Sequence, residues 1–328
     1  MKKVIVFDTA IGTGNKGDDI IMESARAALR ELLDESYVLN LGTHIVNYTG
    51  IQLLKKNFKL KFMNEADYKF IMGTNLLTNK LFRLSPQLNI NPFNCMPYKN
   101  AILFGVGTMQ KKGNPGPYTQ YMYHRILSHK YIHSVRDDLA KEKLEKMGFK
   151  ALNTGCPTLW CLTEELCKQI PTKKANQAIL TVSANRKDCT ADQKLIDTVR
   201  KNYEKVYLWG QWLPDEDYFN TFKNIEGIEI IRSLEKYHDI LSSKDIDYVG
   251  TRLHGGIYAM QHRKRAIIIA VDHRSTGISE NNHINCLDRK DIDGLDAMIN
   301  SEFETKIKLQ TEEITAWLGQ FIDSYKSK

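Results

Sequence analysis

The sequence has no long hydrophobic run. Its longest purely apolar stretch is six residues, 266–271 (AIIIAV), whereas a helix that spans a bilayer needs about 20. At the N-terminus (MKKVIVFD) only four apolar residues precede Asp8, and a secretory signal needs about seven or more. We therefore expect a first β-strand there, no membrane span and a cytoplasmic protein.

The six cysteines form no metal or redox pattern. None belongs to a C-x-x-C pair, and none stands at zinc-like spacing from a histidine, so reduced buried thiols are the simplest interpretation. His262, His273 and His283 also lack metal-ligand spacing. No metal site is predicted.

The charge excess is modest. Lysine and arginine number 46 against 39 acidic residues, a net charge of +7. This excess fits an acidic ligand or attraction to an anionic membrane surface. The basic residues are scattered without a recurring aromatic partner, which argues against nucleic acid. The cluster 263–265 (RKR) is interpreted as a solvated turn, with an anionic lipid contact as the alternative.

The chain alternates between strand and helix patterns twice, and 328 residues favour two domains. The strand segments are 3–7, 37–41, 68–72, 101–106, 132–135, 178–183, 206–209, 228–231, 248–249 and 266–271. The helix segments are 20–33, 118–127, 138–147, 191–203, 217–222, 233–241, 256–261, 294–300 and 310–325.

The alternation weakens over residues 163–177, so the predicted domains are 1–170 and 171–328. The fold class is α/β, with two doubly wound Rossmann-like domains facing a cleft, as in the GT-B transferases. The last helix could pack back on the first domain. The first domain would face the acceptor and the second the donor.

The stretch 247–280 reads as strand, turn, helix, strand and turn, and ligands of open α/β sheets bind at such turns. Arg252 offers a planar cationic fork, and His254 can move a proton near neutral pH. Gly255 and Gly256 would let an anion approach the backbone N–H groups at a helix start. Together these residues predict a site for an anionic small molecule.

Further candidates come from other strand ends. Asp272, Arg274 and Glu280 follow the last buried strand, and Arg136 follows an earlier one, so each is a candidate ligand contact. For Arg136, an ion pair with Asp137 is the alternative. Trp212 is interpreted as core or rim, with sugar stacking as the alternative.

The glycine-rich turn 12–17 (GTGNKG) matches the dinucleotide fingerprint G-x-G-x-x-G. We reject nucleotide binding there because the first glycine comes late after the strand, and because Asp18 and Asp19 would repel a pyrophosphate at the helix start. Asp19 is interpreted as a helix cap. Asn15, Gly17 and Asp18 are predicted to face a ligand.

Four motifs occur in one order: 14–19 (GNKGDD), 134–137 (SVRD), 155–158 (GCPT) and 250–255 (GTRLHG). Together they resemble the polysaccharide pyruvyl transferase family, over residues 8–272. The Arg-Leu-His-Gly element is the most specific part. The chain departs from the family at 73–76 (GTNL), where a glycine run is usual, and at 155–157 (GCP), where Gly-Asp-Pro is usual.

The resemblance implies a GT-B-like fold, phosphoenolpyruvate as the donor and a pyruvyl ketal on a sugar of a cell-surface or exported glycan. Arg252 and His254 would contact the donor. As a mechanism, Arg252 would bind the carboxylate or phosphate, His254 would shuttle the proton, and Asp18 from the opposite domain would accept a hydroxyl proton. No cofactor beyond the donor is expected, and no metal, because arginines can neutralise the phosphate.

The expected partners are phosphoenolpyruvate and a saccharide acceptor, which could be lipid-linked at the inner membrane face, and no nucleic acid. Two alternatives stay open. One is a GT-B glycosyltransferase using a nucleotide sugar, and the other is a non-catalytic binding protein of a glycan-assembly system. Retention of both Arg252 and His254 argues against the second.

Overall fold

A computed structural model describes residues 1–54, 58–82, 87–110, 112–272, 278 and 281–325. The chain divides into two compact units. Unit 1 comprises Met1–Thr13, Ile21–Pro157 and Gln310–Lys328. Unit 2 comprises Gly14–Ile20 and Thr158–Leu309.

Unit 1 is built on a four-stranded parallel sheet in the order β2-β1-β3-β4. These strands are β1 Lys2–Asp8, β2 Ser36–Gly42, β3 Tyr68–Met72 and β4 Ile102–Phe104. A parallel pair, β5 His133–Val135 and β6 Ala151–Asn153, follows. The central strands are nearly continuous apolar runs because helices cover both faces of such a sheet.

Unit 1 contains the helices α1 Lys16–Ala28, α2 Arg30–Asp34, α3 Gly50–Leu54, α4 Phe58–Glu65, α5 Pro117–Ile126 and α6 Asp138–Lys146. The first residues of α1 group with unit 2. A late segment completes this unit. The indole of Trp317 is fully buried and stacks on Phe104 at 4.5 Å. Its Nε1 donates to the carbonyl of Ile132 at 2.9 Å.

Unit 2 is a six-stranded parallel sheet in the order β12-β11-β10-β7-β8-β9. The strands are β7 Gln177–Thr181, β8 Lys205–Trp209, β9 Glu229–Ile231, β10 Ile246–Gly250, β11 Ala266–Ala270 and β12 Cys286–Asp288. Counted within the unit, the order is 3-2-1-4-5-6 from one edge to the other, which is the Rossmann arrangement. Its topological switch point therefore lies between β7 and β10, where ligands bind in such sheets.

Unit 2 contains the helices α7 Glu164–Cys167, α8 Cys189–Asn202, α9 Leu213–Phe219, α10 Leu234–Ser243, α11 Leu253–Gln261 and α12 Leu295–Asn300, and α13 Thr311–Leu318 follows them in the chain. In α8, Leu195, Ile196 and Val199 are fully buried on one face, and Asp188 caps its first turn. The helix is therefore amphipathic, with one face on the sheet.

The predicted α/β class with two Rossmann-like units is confirmed. The interpretation of 263–265 as a solvated turn is wrong for Arg265, whose side chain is fully buried. It pairs with Asp247 at 2.9 Å and donates to three carbonyls. Strand β12 is absent from the prediction because its three residues carry no apolar alternation. In the described part of the chain, no helix is both long enough and apolar enough to cross a membrane.

Candidate active site

Arg252 lies at the switch point of the unit 2 sheet. It follows β10 and is the N-cap of α11. Its backbone N–H donates to the hydroxyl of Thr181, at the end of the neighbouring β7, at 3.1 Å. Its carbonyl accepts from the hydroxyl of Tyr248 at 2.6 Å, and that hydroxyl also pairs with Thr181. The backbone of Arg252 is therefore held by both central strands.

Asp215 holds the guanidinium of Arg252. The Nε of Arg252 donates to Oδ2 at 2.8 Å, and Nη2 donates to Oδ1. The Asp215 side chain is 1% exposed and that of Arg252 is 11% exposed. The carboxylate also accepts backbone N–H bonds from Ala184 at 2.9 Å and Trp212 at 3.2 Å. A guanidinium has five donors in a rigid fork, so this bidentate pair fixes its plane and leaves the Nη1 edge for an anion.

His254 lies in the first turn of α11, two residues after Arg252, and is half-buried. Gly255 and Gly256 follow and are buried. A Cβ on Gly255 would lie 2.8 Å from the ring of Trp209, and one on Gly256 would lie 2.7 Å from Ile268. Close packing of α11 on the sheet therefore requires both glycines. Their predicted contact with an anion stays a prediction.

The N-terminal motif joins the same unit. The amide oxygen of Asn15 accepts from Nε2 of Gln211 at 2.9 Å, and the backbone N–H of Lys16 donates to the carbonyl of Gln211 at 2.8 Å. A Cβ on Gly17 would lie 2.5 Å from that Gln211 nitrogen. Asn15 donates to the buried carboxylate of Asp18 at 3.4 Å. Asp18 thus groups with Arg252 in unit 2, although we expected it from the opposite domain.

Gln211 and Trp212 connect the two motifs. Asn15 forms an isolated antiparallel bridge with Trp212, and the guanidinium of Arg252 lies 5.9 Å from the centre of the Trp212 ring. Gln211 is 3% exposed, and its Oε1 has no hydrogen-bond partner among the described residues. Gln211 is therefore a buried contact of the N-terminal motif.

Asp272 follows β11 and pairs with Arg186, whose Nε lies 3.4 Å from its Oδ2. The Asp272 side chain is 9% exposed and that of Arg186 is 46% exposed. The guanidinium of Arg186 is the cation of this pair, and Arg186 lies just after the carboxyl end of β7. The predicted contacts Arg274 and Glu280 lie outside the described residues.

Arg136 lies in unit 1, where it is buried and donates to the side-chain oxygen of Asn75. The alternative was an ion pair between Arg136 and Asp137. Among the described contacts the two side chains form no such pair, and Asp137 instead caps α6 by accepting the N–H of Ala140. Burial raises the pKa of the Asp137 carboxyl, an effect that the Arg136 charge opposes. Whether Arg136 contacts a ligand stays a prediction.

The two departures from the family pattern lie within the described residues. Gly73 and Thr74 adopt left-handed backbone with φ of 65° and 49°. Such angles suit a glycine, and a β-branched residue rarely adopts them. Cys156 is 1% exposed, so the position where the family often has an acid is buried.

Sequence reasoning missed Asp215, Gln211 and Arg186. Each of the three follows the carboxyl end of a strand of unit 2. For Gln211 and Arg186, this position in the sequence could have predicted a role in the site. Asp215 stands three residues after Trp212 and caps a helix, so the sequence pattern alone favours a capping role. Its partner Arg252 is 37 residues away. In the described part of the chain, no group of three or more His, Cys, Asp or Glu side chains could hold a metal ion.

The comparison with protein families gives one result for this chain. The family model for polysaccharide pyruvyl transferase matches residues 15–273, which is most of the chain. None of the curated protein sequences matches.

Solved structures show the same fold. A Methanocaldococcus jannaschii UDP-GlcNAc 2-epimerase, in complex with UDP-GlcNAc and UDP, aligns with a TM-score of 0.54 at 12% identity over 99% of this chain and 100% of that one. The S. aureus MnaA structure with UDP aligns with a TM-score of 0.52 at 11% identity over 98% of each chain. At such low identity the likeness supports the GT-B-like fold alone.

Proposed function

We propose, from the premise that this chain belongs to the polysaccharide pyruvyl transferase family, that it transfers a pyruvyl group from phosphoenolpyruvate to a saccharide of a cell-surface or exported polysaccharide and forms a ketal there. The observation that supports this donor most directly is the guanidinium of Arg252, held by Asp215 at the switch point of the unit 2 sheet, two residues before His254. A planar fork whose orientation is fixed suits a carboxylate or phosphate.

The reaction needs both acid and base chemistry. A proton adds to the methylene carbon of the donor and makes it a methyl group, while one sugar hydroxyl attacks the central carbon and loses its proton. The carbon–oxygen bond to phosphate then breaks, and a second hydroxyl attacks and loses its proton. The products are the ketal and inorganic phosphate. One proton is taken up by carbon and one by phosphate, which balances the two protons released by the hydroxyls.

Each side chain has a proposed role in this sequence. Arg252 binds the donor carboxylate or phosphate and stabilises the charge that develops on the leaving group. His254 carries the proton to the methylene carbon or from a hydroxyl. Asp18 accepts a hydroxyl proton or orients the sugar. Positioning and charge complementarity supply most of the remaining rate acceleration.

The test is turnover of phosphoenolpyruvate in the presence of candidate saccharides. We expect phosphate release that depends on the acceptor, together with an acceptor mass increased by one pyruvyl ketal. His254→Ala should lower kcat by roughly a hundred- to ten-thousand-fold. His262→Ala is the matched control on the same helix, because His262 bonds to the Tyr258 carbonyl at 2.8 Å at the other end of α11. It should leave kcat within about two-fold.

Other outcomes would favour the alternatives. Thermal stabilisation by UDP or another nucleotide, with none by phosphoenolpyruvate, would support a nucleotide-sugar glycosyltransferase. Absence of binding to any phosphorylated small molecule would support a non-catalytic binding protein. Loss of thermal stability in His254→Ala, with activity surviving at low temperature, would make His254 structural.

A further inference from the structure

The positive charge of the chain is concentrated in one segment of the sequence. Residues 36–136, which we call the basic segment, contain thirteen lysines and arginines and only two acidic residues, a net charge of +11. Since the whole chain has 46 basic and 39 acidic residues, the remainder has 33 and 37 and is slightly acidic. The modest overall excess therefore conceals a strongly basic part of unit 1.

The two acidic residues offset only a small part of the charge of the basic segment. Glu65 pairs with Lys3 at 2.5 Å and with Lys61 of the segment at 3.9 Å, and Asp67 accepts the backbone N–H of Lys3 at 2.7 Å. Lys80 and Lys112, by contrast, have exposed side chains. The positive charge of the segment thus reaches the surface at these two positions, whereas Lys69 and Arg136 are buried.

Exposed apolar side chains are concentrated in the same part of the chain. Eleven large apolar side chains are exposed among the described residues, and eight of them lie within residues 45–121, about a quarter of the sequence. Six of these define what we call the apolar patch: Ile51, Leu54, Phe82, Phe93, Tyr118 and Tyr121. Leu54 is 83% exposed and Phe93 is 79% exposed. Clustered exposure of this kind marks an interaction surface.

Contacts join the segments that carry the apolar patch. A Cβ on Gly50, the first residue of α3, would lie 3.4 Å from Phe93. The ring of Phe82 packs edge-on against Tyr118 of α5 at 6.4 Å. Arg125 bridges the remaining two segments, because its Nε donates to Cys95 at 3.2 Å and its Nη1 donates to the hydroxyl of Tyr121 at 3.2 Å.

The topology of unit 1 explains why these segments meet. The patch residues follow β2, β3 and β4, which are parallel strands of one sheet. The carboxyl ends of parallel strands lie at the same edge, so the connections that leave them emerge side by side. This edge is also where ligands of open α/β sheets bind.

We propose that the apolar patch and the basic segment around it form a surface that binds an anionic phospholipid bilayer. Aliphatic and aromatic side chains enter the boundary between headgroups and acyl chains, and lysines attract the headgroup phosphates. Tyr118 and Tyr121 are of the residue type enriched at that interface. A nucleic acid would bind the lysines and leave the aliphatic side chains without a partner, and an apolar protein would leave the exposed lysines Lys80 and Lys112 without a partner.

The experiment is co-sedimentation of the full-length chain with phospholipid vesicles, and it needs neither donor nor acceptor, so it is independent of the proposed reaction. We expect binding to phosphatidylcholine vesicles that contain about one-third phosphatidylglycerol, much weaker binding to phosphatidylcholine alone, and weakening by salt. Equal binding to both vesicle types, or to neither, would overturn the proposal.

Matched variants locate the surface. Leu54→Ser and Phe93→Ser, on different segments, should each lower the vesicle partition coefficient about ten-fold, while Leu213→Ser, which removes a side chain 73% exposed on unit 2, should not change it. The pair Lys80→Gln and Lys112→Gln should lower it about ten-fold on anionic vesicles. Lys223→Gln with Lys290→Gln removes the same charge from exposed positions of unit 2 and should have no effect.

Three results would count against this surface. One is an equal loss of binding in the unit 2 controls. Another is tight binding of an RNA oligonucleotide with no vesicle binding. The last is lipid-independent self-association that Leu54→Ser abolishes, since a second copy of the chain would then cover the patch.

Discussion

Asp215 and Arg252 form a bidentate ion pair within unit 2, with both charged groups almost fully buried. A second buried pair in the same unit, Asp247 and Arg265, joins β10 to the strand that follows. The two pairs differ in position. Asp215 and Arg252 lie after the carboxyl ends of β8 and β10. Asp247 and Arg265 lie at the amino ends of β10 and β11.

Because the two pairs lie at different ends of the sheet, replacing the aspartate by asparagine should have different effects on activity in the two pairs. Asp215→Asn and Asp247→Asn each leave an arginine without its carboxylate, and each should lower the free energy of unfolding by about 3 kcal/mol. Only Asp215→Asn should also lower kcat/KM for phosphoenolpyruvate, by about ten- to a hundred-fold, because the fork of Arg252 is no longer held. Urea denaturation and steady-state kinetics measure the two effects. Equal kinetic losses in both variants would make Asp215 a purely structural residue.

His133 predicts a dependence of stability on pH. Its ring is fully buried, accepts the N–H of Leu103 at Nδ1 at 3.0 Å and bonds to the Ser128 carbonyl through Nε2 at 2.9 Å. Burial lowers its pKa from 6.5 to about 4. The unfolded chain therefore binds a proton that the folded chain does not. The resulting stability is complete above pH 6.5 and decreases by about 1.4 kcal/mol per unit as the pH falls toward 4.

The measurement is the free energy of unfolding in urea between pH 7.5 and 4.5, with the His133 resonances followed by NMR. The exposed His124 provides a control, since His124→Ala should keep the slope. A His133 resonance that titrates near pH 6.5 in the folded protein would contradict the prediction.

Lys69 predicts a substitution that stabilises the protein. Its side chain is 6% exposed on β3, and burial, with repulsion from Lys99, lowers its pKa from 10.5 to about 8. Below pH 8 the buried ammonium is charged and destabilises the fold. Stability should rise between pH 8 and 10.5, where only the unfolded chain keeps the proton.

Lys69→Met should therefore raise the free energy of unfolding at pH 7 by about 2 kcal/mol, and should remove the rise at alkaline pH. Thermal denaturation at pH 7 and pH 10 measures both. Lys223→Met, at an exposed position of unit 2, is the control and should change stability by less than about 0.5 kcal/mol. A decrease in stability in Lys69→Met would show that the ammonium is stabilised by its surroundings.

Thr74 predicts a second stabilising change. A threonine with φ of 49° is strained because its branched Cβ crowds the backbone. Thr74→Gly should raise the free energy of unfolding by about 0.5–1 kcal/mol, the strain removed less the entropy that glycine adds to the unfolded chain. Asn100→Gly is the control, because asparagine tolerates its φ of 64° and the change should be near zero. Destabilisation by Thr74→Gly alone would show that the hydroxyl makes contacts that outweigh the strain.

The alternation of strands and helices could be predicted because buried parallel strands are apolar runs and their covering helices keep one apolar face. Position after a strand end also predicted Arg252 and His254 as candidates. Spacing could not show that the fork of Arg252 binds Asp215, since their meeting depends on the strand order of the folded sheet. The sequence RKR also gave no sign that Arg265 finds a carboxylate and three carbonyls inside the protein.

The glycines show a related limit. Gly17, Gly255 and Gly256 were predicted as ligand contacts, and these contacts stay predictions. A Cβ at each position would lie within 3.0 Å of a protein side chain, which for Gly17 is the flexible end of Gln211. A glycine at a strand end signals close approach, and the sequence does not say whether the approaching group belongs to a ligand or to the protein.

Trp317 makes the core of unit 1 depend on residues near the C-terminal end of the described chain. Unit 1 contains most of the first half of the sequence, yet Trp317 and Phe321 pack against Phe70 of β3 in its interior. A ribosome that has made only residues 1–157 has therefore produced a unit without part of its core. Residues 158–309 supply all six strands of the unit 2 sheet, whereas the core of unit 1 is complete only when the segment around residue 317 is available to pack on β3.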